Sequence, residues 1–215
     1  MASHDALIEK LSQTAAPIKR VQPTRLRVAS WVLMAIPAGV LASFLLERSA
    51  TDWSQPGAGW ALLQLLLVFI MGLFAISQAF LGSIAGHRPL RLHWLFMLIT
   101  LWFTTALMSL GQQPLTASSL HDTHCYTFML TVSLPMIALV LTFLRHTRTF
   151  APLRSLLLAG SGVACMAMTL LAFCHPVHLH PEDFLMHLAA IASIVMLTVI
   201  LGWRWVGINA GSTRN

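Results

Sequence analysis

The sequence predicts an all-α integral membrane protein: an up-down bundle of six transmembrane helices with both termini in the cytoplasm. Three observations predict it. The first is composition. Of 215 residues, 57% are hydrophobic and only 9% are charged, against roughly 50% and 25% in an average soluble domain. Thirteen Lys+Arg and 7 Asp+Glu are too few to cover a soluble globule of this length. A disordered chain is excluded for the same reason, because too few polar residues are present to keep it solvated. The second observation is a series of six unbroken apolar stretches, each close to the roughly 20 residues that cross a bilayer core. The third is the sorting of charge between the two ends of those stretches.

The elements follow in order. Residues 3–14 read as a short amphipathic helix with Leu7, Ile8 and Leu11 on one apolar stripe. Pro17 and Pro23 break the path that follows. The spans lie at about 28–46, 60–85, 94–110, 125–144, 155–174 and 184–203. None holds Asp, Glu, Lys or Arg between its ends. The runs do not alternate, so a β-barrel is excluded. Backbone groups in lipid must be satisfied within their own segment, which leaves helices. Short connections make neighbouring spans antiparallel and leave no room for a soluble domain. The first 27 residues are polar and basic, so no cleavable signal peptide is expected. The chain thus divides into a cytoplasmic segment 1–27, a membrane domain 28–204 and a cytoplasmic tail 205–215.

Orientation comes from the cations. Lys10, Lys19, Arg20, Arg25 and Arg27 precede the first span. Arg88 and Arg91 occupy the second loop, Arg145, Arg148 and Arg154 the fourth, and Arg204 and Arg214 the tail. Every Lys and Arg except Arg48 therefore falls on one side, which the positive-inside rule places in the cytoplasm. Glu47, Asp52, Asp122, Glu182 and Asp183 fall on the other. The pI near 10.3 records this topology. Membrane lipid is the expected partner, and no direct contact with nucleic acid is expected, because the cations are spread over four short segments. Trp31, Trp60, Trp94, Trp203 and Trp205 sit near span ends, where aromatic belts form.

Within the spans, Pro37 and Pro135 each remove a backbone hydrogen bond and are expected to bend their helices. Gly160, Ser161, Gly162, Ala164 and Ala167 in the fifth span, and Gly82 with Gly86 at the end of the second, fit close helix contact. Gln64 and Gln78 are expected to make interhelical hydrogen bonds. Spans free of charge argue against an ion or proton pump.

The outer face carries the candidate chemistry. The third loop reads His121-Asp-Thr-His124-Cys125, and the fifth reads Cys174-His175-Pro-Val-His178-Leu-His180. His187 lies about one turn into the last span. Six of the ten histidines share this face. Cys125 opens the fourth span and Cys174 closes the fifth, so the two thiols stand at one depth. Thiolate and imidazole suit Zn²⁺, Cu⁺ and related ions. An oxidising compartment equally permits a Cys125–Cys174 disulfide, which removes the thiolate ligands. Both states remain open, as does a permanent structural staple. Cys165, about 13 Å deeper at 1.5 Å per residue, is expected to be inert packing.

The whole pattern resembles the NrsF-type membrane anti-sigma factors of Gram-negative bacteria, a former domain of unknown function. The opening Asp5-Ala-Leu-Ile-Glu-Lys-Leu, then Ala16-Pro17-Ile18-Lys19-Arg20, Pro23 and Arg27, is similar to theirs. So is the second half, through Cys125, Ser133-Leu-Pro135, Leu144-Arg145, Ala151-Pro152-Leu153-Arg154, Gly160, Gly162, Cys174 and His187. The resemblance implies a non-enzymatic regulator. It would hold an extracytoplasmic-function (ECF) sigma factor at the inner membrane and release it under heavy-metal or oxidative stress. It implies Cys125 and Cys174 as sensor thiols. It also implies the N-terminal segment, with Asp5, Leu7, Ile8, Leu11, Pro17, Lys19 and Arg20, as the sigma contact. The outer loops are richer in His than the family pattern, which favours copper or zinc as the signal. Two rivals stand beside this. A membrane thiol-disulfide oxidoreductase would need a second Cys pair or a C-x-x-C motif. A metal transporter would need ligands through the bilayer.

Overall fold

The computed structural model describes residues 2–14, 22–47, 50–84, 93–110, 124–147, 151–174 and 181–206. These form seven helices with turns and loops between them, and no strand is present among the described residues. In chain order they are α1 (Ala2–Thr14), α2 (Thr24–Ser43), α3 (Ala58–Gly82), α4 (His93–Leu110), α5 (His124–Arg145), α6 (Pro152–Leu171) and α7 (Pro181–Val206). Five of them, α2, α3, α5, α6 and α7, are long and apolar enough to cross a membrane. The apolar part of α4, His93–Ser109, is shorter.

Local chemistry sets several ends. Pro152 sits in the first turn of α6, where its missing N–H would have no helical partner in any case. Gly57 precedes α3 with φ of 96°, a conformation that L side chains resist. Glu182 and Asp183 occupy the first turn of α7 and Arg204 its last, each complementing the helix dipole. Hydroxyls inside the helices turn back on their own backbones. Ser133 donates to Leu130 O at 2.8 Å, Thr169 to Cys165 O at 2.9 Å and Thr198 to Ile194 O at 2.8 Å. In lipid this satisfies a polar group without an outside partner.

α6 is the central helix. It packs against α2, α3, α5 and α7, and it is the most enclosed of the five. Its small residues explain why. A Cβ on Gly162 would meet Ile76 Cγ1 of α3 at 2.6 Å and Ile76 N at 3.1 Å. A Cβ on Gly160 would meet Val195 Cα of α7 at 2.9 Å. A Cβ on Gly72 of α3 would in turn meet Cys165 Cβ at 3.0 Å. Two residues apart on one helix, Gly160 and Gly162 thus admit different neighbours at near backbone contact, which drives association where lipid supplies no hydrophobic force. At Gly82, an added Cβ would meet Ser155 Oγ at an ordinary 3.6 Å, so the expected close approach is not needed there. Gly86 lies outside the described residues.

The other faces of the bundle are apolar and exposed. Leu33, Leu41, Leu66, Ile70, Leu134, Met196 and Ile200 all present large side chains outward. A soluble monomer rarely shows apolar patches beyond a few hundred Å². Together with the five long apolar helices, these faces mark a multi-pass membrane protein.

Successive helices of the bundle run in opposite directions, so the two ends differ in chemistry. Arg25, Arg27, Arg145, Arg154 and Arg204 gather at one end. Glu47, Asp52, Glu182 and Asp183 lie at the other. Helix α1 stands apart in character: its described side chains, His4 to Gln13, are all exposed.

Two expectations need correction. The helix that carries the first expected span, α2, runs Thr24–Ser43, so it starts four residues before the apolar run does. Arg27 therefore lies inside the helix, buried, where a flanking solvated charge was expected. Trp31 is fully buried in the main core cluster and is no belt residue. The early helix start carries it two turns in and against its neighbours. Trp60, Trp94, Trp203 and Trp205 are exposed as expected. Gln64 makes the anticipated interhelical bond, donating to Thr105 O of α4 at 3.2 Å, and Trp60 Nε1 donates to the same carbonyl at 3.2 Å. Gln78 is buried. Pro37 and Pro135 lie inside α2 and α5.

Candidate functional site

At the acidic end, the starts of α5 and α7 and the end of α6 carry the candidate residues. α5 starts at His124, which places Cys125 in its first turn. The last turn of α6 unwinds through Ala172 and Phe173 to Cys174, whose N–H donates to Leu171 O at 2.8 Å. Both thiols are free and half-buried, and both pack against the main core cluster. Since α5 and α6 are packed neighbours, the start of one and the end of the other put both thiols at this end of the bundle.

Beside them, α7 begins with Glu182 and Asp183. Asp183 and His187 are both buried, four residues apart and so on one face of the helix. Phe184, between them in sequence, stacks on Trp102 of α4 with ring centroids 6.2 Å apart. The phenol of Tyr126, next to Cys125, shares a 3.0 Å hydrogen bond with Ser193 Oγ of α7. Ser193 Oγ also lies 2.9 Å from Ala189 O, to which it donates, so the Tyr126 hydroxyl is the donor between them.

The first outer loop closes over the end of α6. Thr51 N–H donates to Phe173 O at 3.1 Å, and Thr51 Oγ1 donates to Ala172 O at 2.9 Å. These are carbonyls that a helix C-terminus leaves without helical donors. The Trp53 ring meets Phe173 edge-on at 6.0 Å. Asp52 shapes the loop by accepting from Ser54 Oγ at 2.6 Å and Ser54 N–H at 3.0 Å. Those donors hold its carboxyl below the usual carboxylate range. Its contribution is complete above the ordinary carboxylate pKa and is lost only as pH falls through the lower folded value. The loop therefore carries a fixed negative charge at neutral pH.

Of the sequence-derived sensor residues, the structure places Cys125, Cys174 and His187 at this one end. His124 contributes its backbone to the start of α5. Its side chain, and His121, His175, His178 and His180, lie outside the described residues. Among the described residues, no three His, Cys, Asp or Glu side chains assemble as a metal site. At the other end, Asp5, Leu7, Ile8 and Leu11 are exposed on α1. Pro17, Lys19 and Arg20 lie outside the described residues. Sequence reasoning missed the Thr51 clasp, the Tyr126–Ser193 link and the burial of Asp183. Only the last had a legible signal, in the four-residue spacing of Asp183 and His187.

No family model matches the chain, and no curated protein or solved structure matches it.

Proposed function

We propose that this protein is an inner-membrane anti-sigma factor with six spans and cytoplasmic termini. It sequesters an ECF sigma factor and releases it when outer-face thiols meet a transition metal or an oxidant. One arrangement carries the proposal: two half-buried thiols at the acidic end of the bundle, and an exposed amphipathic helix on the chain that leaves the basic end. The excess of arginine puts the basic end in the cytoplasm. α4 serves as the sixth span, since it lies along α3 through Trp60, Gln64 and Thr105 and reaches Phe184 at the acidic end.

Leu7, Ile8 and Leu11 form the apolar face that a cytoplasmic partner covers. Cys125 and Cys174 are the sensor thiols, with His121, His124, His175, His178, His180 and His187 as the supply of further ligands. Copper or zinc binding by the two thiols releases two protons. Oxidation to a disulfide would pass two electrons to an external oxidant and release the same two protons. Either event favours a packing that binds the sigma factor less well. A ligand shifts such a balance only by its differential affinity for the two states. Tenfold release needs about 1.4 kcal/mol of coupling, well within what thiolate–metal bonds supply. A transporter is less favoured because, among the described residues, the buried charged side chains and imidazole, Arg27, Asp183 and His187, lie at the two ends, which leaves the thiol of Cys165 as the one buried ionisable group between them.

The test is Cys125→Ser and Cys174→Ser, singly and together, in cells carrying a reporter for the partner sigma factor. Repression without metal should persist, and induction by zinc or copper should fall to background. An unchanged response in the double variant contradicts the proposal.

A further inference from the structure

α2 is the span that continues directly into the N-terminal segment, and it is fastened at both ends to the helices that carry the thiols. At the basic end the fastening is Arg27, which is 5% exposed. Its Nη2 donates to Thr147 Oγ1 at 3.1 Å and to Phe143 O at 3.4 Å, both at the end of the helix that begins beside Cys125. Thr147 Oγ1 gives its own proton to Leu144 O at 3.2 Å, so a lone pair faces Arg27. The guanidinium lies 4.7 Å from the centroid of the Phe80 ring of α3. Phe80 stacks on Phe143 at 5.8 Å and 19°. The charge is thus covered by the face of Phe80 and oriented by two acceptors.

At the acidic end the chain leaving α2 is fastened by Thr51. It donates to the carbonyls of Ala172 and Phe173, the residues immediately before Cys174. Between the two clasps, Gly39 lets side chains of both thiol-bearing helices close on α2: a Cβ there would meet Met136 Cε of α5 at 2.5 Å and Leu170 Cδ1 of α6 at 2.8 Å. A shift of either helix end is therefore met by α2 through polar contacts that hold or break, with packed side chains between them.

We propose that α2 is the element that carries a change at the thiols to the N-terminal segment, with Thr51 and Thr147 as the positioning residues that couple it to Cys174 and Cys125. This rests on the anti-sigma reading of the site. A metal that draws Cys174 towards Cys125 re-aims the carbonyls of residues 172 and 173. Thr51 follows them, and α2 moves against the clasp that Arg27 makes with Thr147. Two discrete arrangements of α2, each biased by both ends, are what such coupling physically requires.

The test uses the full chain in mild detergent, with zinc chloride as the probe and hydrogen exchange followed by mass spectrometry. Thr51→Val and Thr147→Val keep side-chain shape and lose the hydroxyl. Thr51→Ser and Thr147→Ser keep the hydroxyl and lose the methyl. In the native chain, zinc should change exchange at residues 172–174 and also at 22–30. The Ser variants should respond like the native chain. The Val variants should keep the change at 172–174 and lose that at 22–30 by about fivefold for Thr51→Val, the weight of one neutral hydrogen bond, and by at least about tenfold for Thr147→Val, whose partner is charged. A purely packing role would reverse that order. Zinc that alters 172–174 but never 22–30, or Val variants that respond in full, overturns the role of α2 while leaving the thiols as sensors. Thiols that take up no zinc in the native chain overturn the metal reading and this inference together.

Discussion

Gly162→Leu is expected to remove the folded protein from the membrane almost entirely. At this point α6 and α3 meet at backbone distance: an added Cβ reaches Ile76 Cγ1 at 2.6 Å and Ile76 N at 3.1 Å. A side-chain end can rotate away, but the Ile76 backbone cannot unless α3 moves as a body. Moving α3 opens the contact at Gly72, where the helices are close enough that an added Cβ would lie 3.0 Å from Cys165 Cβ. Overpacking typically costs about 1–3 kcal/mol and more where backbone must move, and native stabilities are only about 5–15 kcal/mol. The yield of monodisperse protein in mild detergent should fall at least tenfold, and whatever survives should melt at a clearly lower temperature. Gly59→Leu is the control, because a Cβ there meets nothing within 4 Å. Its yield should match the native chain. Equal loss at both positions would mean that leucine content, and not the α3–α6 approach, governs the result.

The second large effect lies at the opposite end in sequence. If the proposed anti-sigma function holds, Leu7→Asp, Ile8→Asp and Leu11→Asp together should free the sigma factor without any stress. The three side chains are 55%, 64% and 61% exposed and touch no core. Their substitution leaves the bundle intact, so the protein should reach the membrane in normal amount. Each apolar side chain buried against a partner is worth about 1.5–3 kcal/mol. Loss of all three exceeds a hundredfold in affinity even after generous allowance for the cost of ordering the segment. Sigma-dependent transcription without metal should rise to the level seen when the protein is absent. Repression that survives the triple change would move the dock to the inner loops.

Much of this architecture is legible in the chain. The three-and-four spacing of Leu7, Ile8 and Leu11 predicts a helix over 3–14, and the helix spans Ala2–Thr14. The small residues of α6 announce close helix contact before any neighbour is known, and its central place comes from the structure. Cys125 and Cys174 each adjoin the end of an apolar run, and the structure puts both at the acidic end of the bundle. Arg27 shows where this reasoning stops. Hydropathy ends a span at the first charge, whereas the helix continues through it and the guanidinium finds Thr147 and the Phe80 face. Trp31 is lost by the same error, since an aromatic near a supposed end reads as a belt. The Thr51 clasp is invisible for a different reason. Its partner Ala172 is 121 residues away, and a loop hydroxyl has no periodicity to betray it.

Retention of the sigma factor by the full-length chain is the most direct measure of the central claim. The chain is captured from solubilised bacterial membranes, and what it holds is identified by mass spectrometry, with and without zinc chloride. The account predicts that an ECF sigma factor is retained, that deletion of residues 1–21 abolishes retention, and that zinc releases at least nine-tenths of it. It predicts no release when Cys125 and Cys174 are both serine. A sigma factor that is never retained, or that stays bound equally with zinc and intact thiols, contradicts it.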